Sequence, residues 1–263
     1  MVYGRAGQVA CASGEIAAPG SGNLAPGMAS VRRLVLWDID GTLITAGPFT
    51  RRAFDLAIAS ALGRQPGEHD VSFGGKTDPQ IALEILAALS ISADDARGRL
   101  PAVMRALERE MGAAVDLLRK DGAVLPGVRP LLERLHGMRG ILQSVLTGNV
   151  EMNARLKVGA FDLERFLDLD VGAYGSDGED RTTFVPLALR KVESRRGARI
   201  PPGEVWVVGD TARDLACARA GRARCLLVAT GRVAYEELES LGADAVLPDL
   251  SDVDAVEHIL TSP

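Results

Sequence analysis

Cysteine, histidine and aromatic side chains are all scarce here: three cysteines, three histidines and 4% aromatic residues in a chain of 263. Cys11, Cys217 and Cys225 are odd in number and irregularly spaced, with no Cys-x-x-Cys pair or histidine cluster beside them. That argues against a disulfide framework and against zinc, and points to reduced thiols in a cytoplasmic protein. His69, His136 and His258 stand alone, outside any metal-ligand spacing, and are expected to be packing or surface residues. Positive charge is not in excess either. A net charge of −5 and a pI near 5.4 give no electrostatic grip on nucleic acid or an anionic membrane, so a phosphate site has to be built locally. No apolar run is long enough for a transmembrane helix. Residues 1–30 are rich in Gly, Ala, Ser and Pro, lack the apolar segment of a secretory signal, and are predicted to be a disordered leader, with Met28 an alternative start.

What is present is an ordinary globular composition, 47% hydrophobic and 25% charged, and one informative stretch, Leu34 to Leu43. Leu34, Val35, Leu36 and Trp37 show no polar alternation, which suits a strand covered on both faces, as in a parallel sheet between helices. The run ends in Asp38-Ile39-Asp40-Gly41-Thr42. In open parallel sheets ligands bind beyond the carboxyl ends of the strands. Two carboxylates set so close repel each other unless a proton or cation lies between them, so the arrangement calls for a metal, an acid/base pair, or both.

Helical spacing follows over Phe49–Leu62, Pro79–Leu89 and Ala96–Leu118, with no second strand predicted for about a hundred residues. This segment is expected to be a helical insertion. After Pro126-Gly127 the rhythm becomes alternating helix and strand, with strands at 141–146, 167–172, 205–208, 225–229 and 245–247, the pattern of a parallel sheet with helices on both faces. Further strands end in polar groups: Leu146-Thr147-Gly148-Asn149, and Val208-Gly209-Asp210-Thr211-Ala212-Arg213-Asp214. Asp180-Arg181 opens a helix between them. Carboxylates from two strand ends with one nearby cation suit a phosphate and magnesium site.

These motifs, in this order and at these strand ends, resemble those of the haloacid dehalogenase-like hydrolases, in particular the phosphatase branch with a helical cap (phosphoglycolate phosphatase-like). Asp-Ile-Asp-Gly-Thr looks like the first motif, Leu-Thr-Gly-Asn the second and Gly-Asp-Thr-Ala-Arg-Asp the fourth. The resemblance implies an α/β fold with a Rossmann-like parallel sheet at 31–49 and 127–263, and an inserted all-helical cap at 50–126. It implies Asp38 as nucleophile and Asp40 as general acid and base. Gly41, Thr42, Thr147 and the amides of Gly148 and Asn149 would bind the phosphoryl group, and Asp38, Asp40, Asp210 and Asp214 would hold Mg²⁺. The family's usual Lys before the helix that follows the third strand is replaced by Arg181, which keeps the positive charge and would contact nucleophile and phosphate as a catalytic residue, although its planar fork is not equivalent to an ammonium; the alternative is a helix-start surface residue paired with Asp180.

Gly74-Gly75-Lys76-Thr77 is not a nucleotide-binding loop, because Asp70 stands where the first glycine is required and no strand leads into it. Lys76 is either a contact to the leaving group or part of a helix entry capped by Asp78 before Pro79. The expected activity is Mg²⁺-dependent hydrolysis of a small phosphorylated metabolite by a monomer or homodimer, without nucleic-acid or membrane partners. A phosphomutase and a noncatalytic phosphate-ligand binder are the alternatives.

Overall fold

A computed structural model describes residues 31–262; the predicted leader and Cys11 lie outside them. Ten α-helices and seven strands follow one another: β1 (Arg33–Trp37), β2 (Ile44–Thr45), α1 (Phe49–Leu62), α2 (Asp78–Ala88), α3 (Ala93–Ala113), α4 (Val115–Asp121), β3 (Ala123–Val124), α5 (Val128–His136), β4 (Ile141–Val145), α6 (Glu151–Gly159), α7 (Phe184–Arg196), β5 (Val205–Gly209), α8 (Ala212–Ala220), β6 (Arg224–Val228), α9 (Tyr235–Ser240), β7 (Ala245–Leu247) and α10 (Val253–Thr261).

The main sheet is parallel, in the order β4-β1-β5-β6-β7. Its strands alternate between two cores. Val35 and Trp37 of β1, with Trp206 and Val208 of β5, face Leu131, Leu135, Val158 and Val256 on one side. Leu34 and Leu36, with Val205 and Val207, face Phe184, Ala188, Leu215 and Leu238 on the other. This explains the unbroken apolar sequence of β1, since both faces of the strand are covered by helices. β1 is also where the strand order reverses: the chain places β4 on one side of it and β5 on the other. The crevice at the end of β1 is therefore the place where a ligand can sit between diverging loops.

A third cluster is built from Phe49, Phe54, Ile58, Ile81, Ile85, Val103, Leu107, Met111 and Leu118 on α1 to α4. These helices bury their apolar stripes chiefly against one another, as the i, i+4 spacing of Ile81, Ile85 and Leu89 predicts. The helix expected at Ala96–Leu118 is two, α3 and α4, broken at Ala114. Among the described residues no helix is long and apolar enough to cross a membrane.

Three local expectations are corrected. A second sheet exists, an antiparallel pairing of β2 with β3; two residues per strand leave too short a pattern to stand out in sequence. The strand expected at Leu167–Gly172 does not form, and only Ala173 bridges to Leu146. There the side chain of Asp168 accepts the N–H of Asp170 at 3.3 Å and pairs with Arg196. Such an Asx turn bends the chain away from the extended form. Finally, α2 is capped by Thr77, in a box with Gln80, and not by Asp78.

The entry into α5 depends on one glycine. Gly127 has φ +75°, and a Cβ there would stand 1.7 Å from the carbonyl oxygen of Leu250. Gly127→Ala is expected to destabilise the fold by about 2 to 4 kcal/mol, seen as a lower urea midpoint with an unchanged m-value.

Candidate active site

Asp38 follows β1 directly, and its N–H donates to the carbonyl of Val208 on β5 at 2.8 Å. The pairing keeps the chain extended one residue past the strand and leaves Asp38 buried at the sheet's carboxyl edge. Asp210 follows β5 one residue beyond that level. Gly41, with φ +87°, turns the chain across it so closely that a Cβ would lie 2.5 Å from the Asp210 carboxylate; a Cβ at Gly231 would lie 1.7 Å from it. Both positions need glycine because backbone, not side chain, walls the carboxylate in.

Asp38, Asp210 and Asp214 each offer an oxygen within 4.8 Å of the others. Burial and the repulsion of Asp214 push Asp38 up from 3.8 to about 7 and Asp210 to about 8. Asp214 is held from both sides. One oxygen closes the capping box of α8 on the N–H and hydroxyl of Thr211, at 3.1 and 2.6 Å, and the other accepts from Arg181 at 2.6 Å. The guanidinium of Arg181 is 3.9 Å from Asp38 and also donates to the carbonyl of Gly75 at 2.9 Å. Burial works against its charge, but Asp214 and Asp38 outweigh that and keep it protonated. Three carboxylates against one guanidinium leave a deficit of positive charge in a desolvated place, which a divalent cation with hard oxygen preferences would fill.

Asp40 takes a different environment. Its carboxylate is half-exposed on the cavity side and accepts from Lys157 Nζ at 2.8 and 2.6 Å and from Asn149 Nδ2 at 2.7 Å. The Asn149 amide also donates to Thr147 Oγ1 at 2.8 Å, and its oxygen accepts from Lys157 at 2.7 Å.

A cavity of about 510 Å³ joins these groups, with Asp38, Asp40, Gly41, Lys76, Thr147 and Arg181 among its walls; Gly148, Asn149 and Asp210 also line it. Two residues expected at the site sit differently. Thr42 is fully buried away from the cavity lining, with its hydroxyl unpartnered. Lys76 lines the cavity but is ion-paired with Glu84.

The helical cluster meets the core at the loop after β4. Asp78 donates its N–H to the carbonyl of Gly148 at 2.7 Å, and its buried carboxylate accepts from the N–H of Val150 at 2.8 Å and from Asn153 Nδ2 at 3.3 Å. It thereby sits at the N-terminal end of α6, on the N–H of the residue just before the helix, where a carboxylate is favoured. Burial raises Asp78 to about 6, against the lowering effect of Lys157 and the Val150 N–H.

A sequence profile described as haloacid dehalogenase-like hydrolase matches residues 32–222. The chain belongs to the haloacid dehalogenase-like hydrolases. A phosphoglycolate phosphatase of Pseudomonas fluorescens (strain Pf0-1) is 29% identical over 205 residues, 76% of this chain and 70% of that protein. Among solved structures, a hydrolase from Pseudomonas syringae has 21% identity and a TM-score of 0.63, with 88% of this chain and 100% of that one covered. CbbY from Rhodobacter sphaeroides in complex with phosphate has 21% identity and a TM-score of 0.62, with 85% and 96% covered. These structures share the fold.

Sequence reasoning about this haloacid dehalogenase-like hydrolase missed Lys157 and Asp78. Lys157 was legible in principle: Ala154, Lys157 and Val158 lie on the inward stripe of α6, where a lysine is out of place unless paired. Asp78 carried no such signal, because its partners lie on α6, about seventy residues away.

The raised carboxyls of this hydrolase fix the sign of its pH response. Between the ordinary 3.8 and the folded values near 7 and 8, the folded state binds more protons than the unfolded one, so stability falls as pH rises through that window. In EDTA the Tm is expected to drop between about pH 6 and pH 8.5. Added Mg²⁺ should raise it more at the upper pH than at the lower, which thermal scans would show directly.

Proposed function

We propose that this hydrolase is a Mg²⁺-dependent phosphatase that cleaves a small phosphate monoester through an aspartyl-phosphate on Asp38. The observation that carries the proposal is the placing of two differently furnished carboxylates in one cavity. Asp38 is buried among anions beside Arg181, and Asp40, two residues on, is half-exposed and held by Lys157 and Asn149. A buried carboxylate next to a cation suits nucleophilic attack. A carboxyl facing the cavity suits proton transfer.

Asp38 attacks phosphorus while the ester P–O bond breaks, and Asp40 gives its proton to the departing oxygen. Water then attacks the phosphorus of the aspartyl-phosphate, Asp40 takes the water's proton, and the bond to Asp38 breaks to release inorganic phosphate. The carboxylates of Asp38 and Asp210 and the backbone carbonyl of Asp40, with Asp214 behind them, would hold Mg²⁺, whose charge offsets that of the carboxylate and the phosphate. Thr147 and the N–H of Gly148 would serve the phosphoryl oxygens, as would the N–H of Asn149 on leaving Thr147 Oγ1, to which it donates at 3.3 Å, and Arg181 orients Asp214 and faces Asp38.

Residues 50–126 serve as the cap in this proposal. Arg51 from the cap, with Arg213 and Arg232 from the core, rings the cavity, while the charge of Lys76 is taken up by Glu84. Cations around a cavity of this size suit a small leaving group that itself carries an anion. The relative named phosphoglycolate phosphatase makes 2-phosphoglycolate the first ester to test.

Phosphate release from a panel of small phosphomonoesters is expected with Mg²⁺ and not with EDTA. Asp38→Asn should reduce it by at least about 100-fold without lowering the Tm measured in EDTA. Residual activity above about a tenth of the parent's would overturn the nucleophile assignment.

A further inference from the structure

We infer that Lys157 is a positioning residue for proton transfer, holding the Asp40 carboxyl at the cavity wall. The inference rests on the phosphatase function proposed above and concerns a residue outside the motifs that suggested it.

Lys157 has no exposed surface. A buried ammonium without partners costs far more than a buried apolar side chain of the same volume, so packing alone would favour Leu or Met. Its Nζ instead spends its donors on both oxygens of Asp40 and on Asn149 Oδ1. Asn149 returns to Asp40 Oδ2 through its amide nitrogen. Asp40 is thus gripped from behind by two side chains while its open side faces the cavity. Arg181 cannot substitute, since it is committed to Asp214 and to the Gly75 carbonyl.

The location of Lys157 adds a second consequence. It lies one turn beyond Asn153 on α6, and Asp78 of the cap binds Asn153 and the N–H of Val150 at the start of the same helix. One helix therefore carries both the seat of the cap and the holder of the acid, which ties the position of Asp40 to a seated cap.

A positioning role in proton transfer has a signature that a purely structural role lacks. The alkoxide of an alkyl phosphate needs the proton of Asp40 in order to leave; 4-nitrophenolate leaves without it. In Lys157→Met, kcat/KM for 2-phosphoglycolate should fall by about 30-fold or more, while kcat/KM for 4-nitrophenyl phosphate should stay within about threefold. The second step still needs Asp40 as base, so 4-nitrophenol should appear in a stoichiometric burst followed by slow turnover. Lys157→Gln, which keeps an N–H, should recover part of the loss, and it carries the same comparison if the Met variant does not fold. Equal losses on the two esters, or none on either, would overturn the role of Lys157 while leaving the phosphatase function intact. A parent enzyme that releases phosphate from neither ester with Mg²⁺ would overturn the proposed function and this inference together.

Discussion

Carboxylate crowding at the carboxyl edge of the sheet is the constraint on which the rest of the structure depends. Asp38, Asp210 and Asp214 approach within 4.8 Å in a place where burial denies them water, and desolvation together with mutual repulsion raises the first two. A fold tolerates such an arrangement only when something else fixes the groups in place. Here the parallel pairing of β1 with β5 sets Asp38 level with Gly209, one residue before Asp210, the capping box of α8 immobilises Asp214, and glycine at 41 and 231 lets backbone pass within contact distance of Asp210. Arg181 supplies part of the missing positive charge, and the remaining deficit suits a divalent cation.

The same edge is where the helical insertion meets the core, and the meeting is made largely of backbone. The carbonyl of Gly75 receives Arg181, that of Gly148 receives the N–H of Asp78, and a Cβ on Gly148 would lie 2.0 Å from the carbonyl oxygen of Lys76. On the far side, a Cβ on Gly175 would lie 2.0 Å from the carbonyl of Gly148. The loop after β4 is thus packed between two backbones, which leaves it little freedom. Under the proposed phosphatase function that restriction would help to hold an oxyanion at fixed donors, because preorganised dipoles need not reorient as charge develops.

Two cations divide the anionic site between them. Arg181, in the 3-10 turn just before α7, serves the Asp38 and Asp214 side with a planar fork that reaches two acceptors at once. Lys157, from α6, serves Asp40 as a compact point charge with three donors. The difference follows the geometry of each place: a fork suits acceptors that are apart, and an ammonium suits a carboxylate approached end-on in a closed pocket.

The sequence by itself determined most of the element types and which carboxylates stand at the strand ends. The unbroken apolar run of β1 required a strand covered on both faces, the alternation after Gly127 required parallel crossovers, and Asp38, Asp40, Asp210 and Asp214 announced themselves by following apolar strands. These signals are local, a period or a neighbour in the chain, and so they survive without coordinates. What only the tertiary structure decided were the pairings. The two-residue strands β2 and β3 find each other across nearly eighty residues, the 167–172 segment turns out of the sheet, Thr42 is drawn away from the cavity and Lys76 toward Glu84. Asp78 reaches α6, and Lys157 becomes the partner of Asp40 across 117 positions. None of these contacts is written in a window of sequence, because each depends on which faces the packed sheet and helices bring within hydrogen-bonding distance.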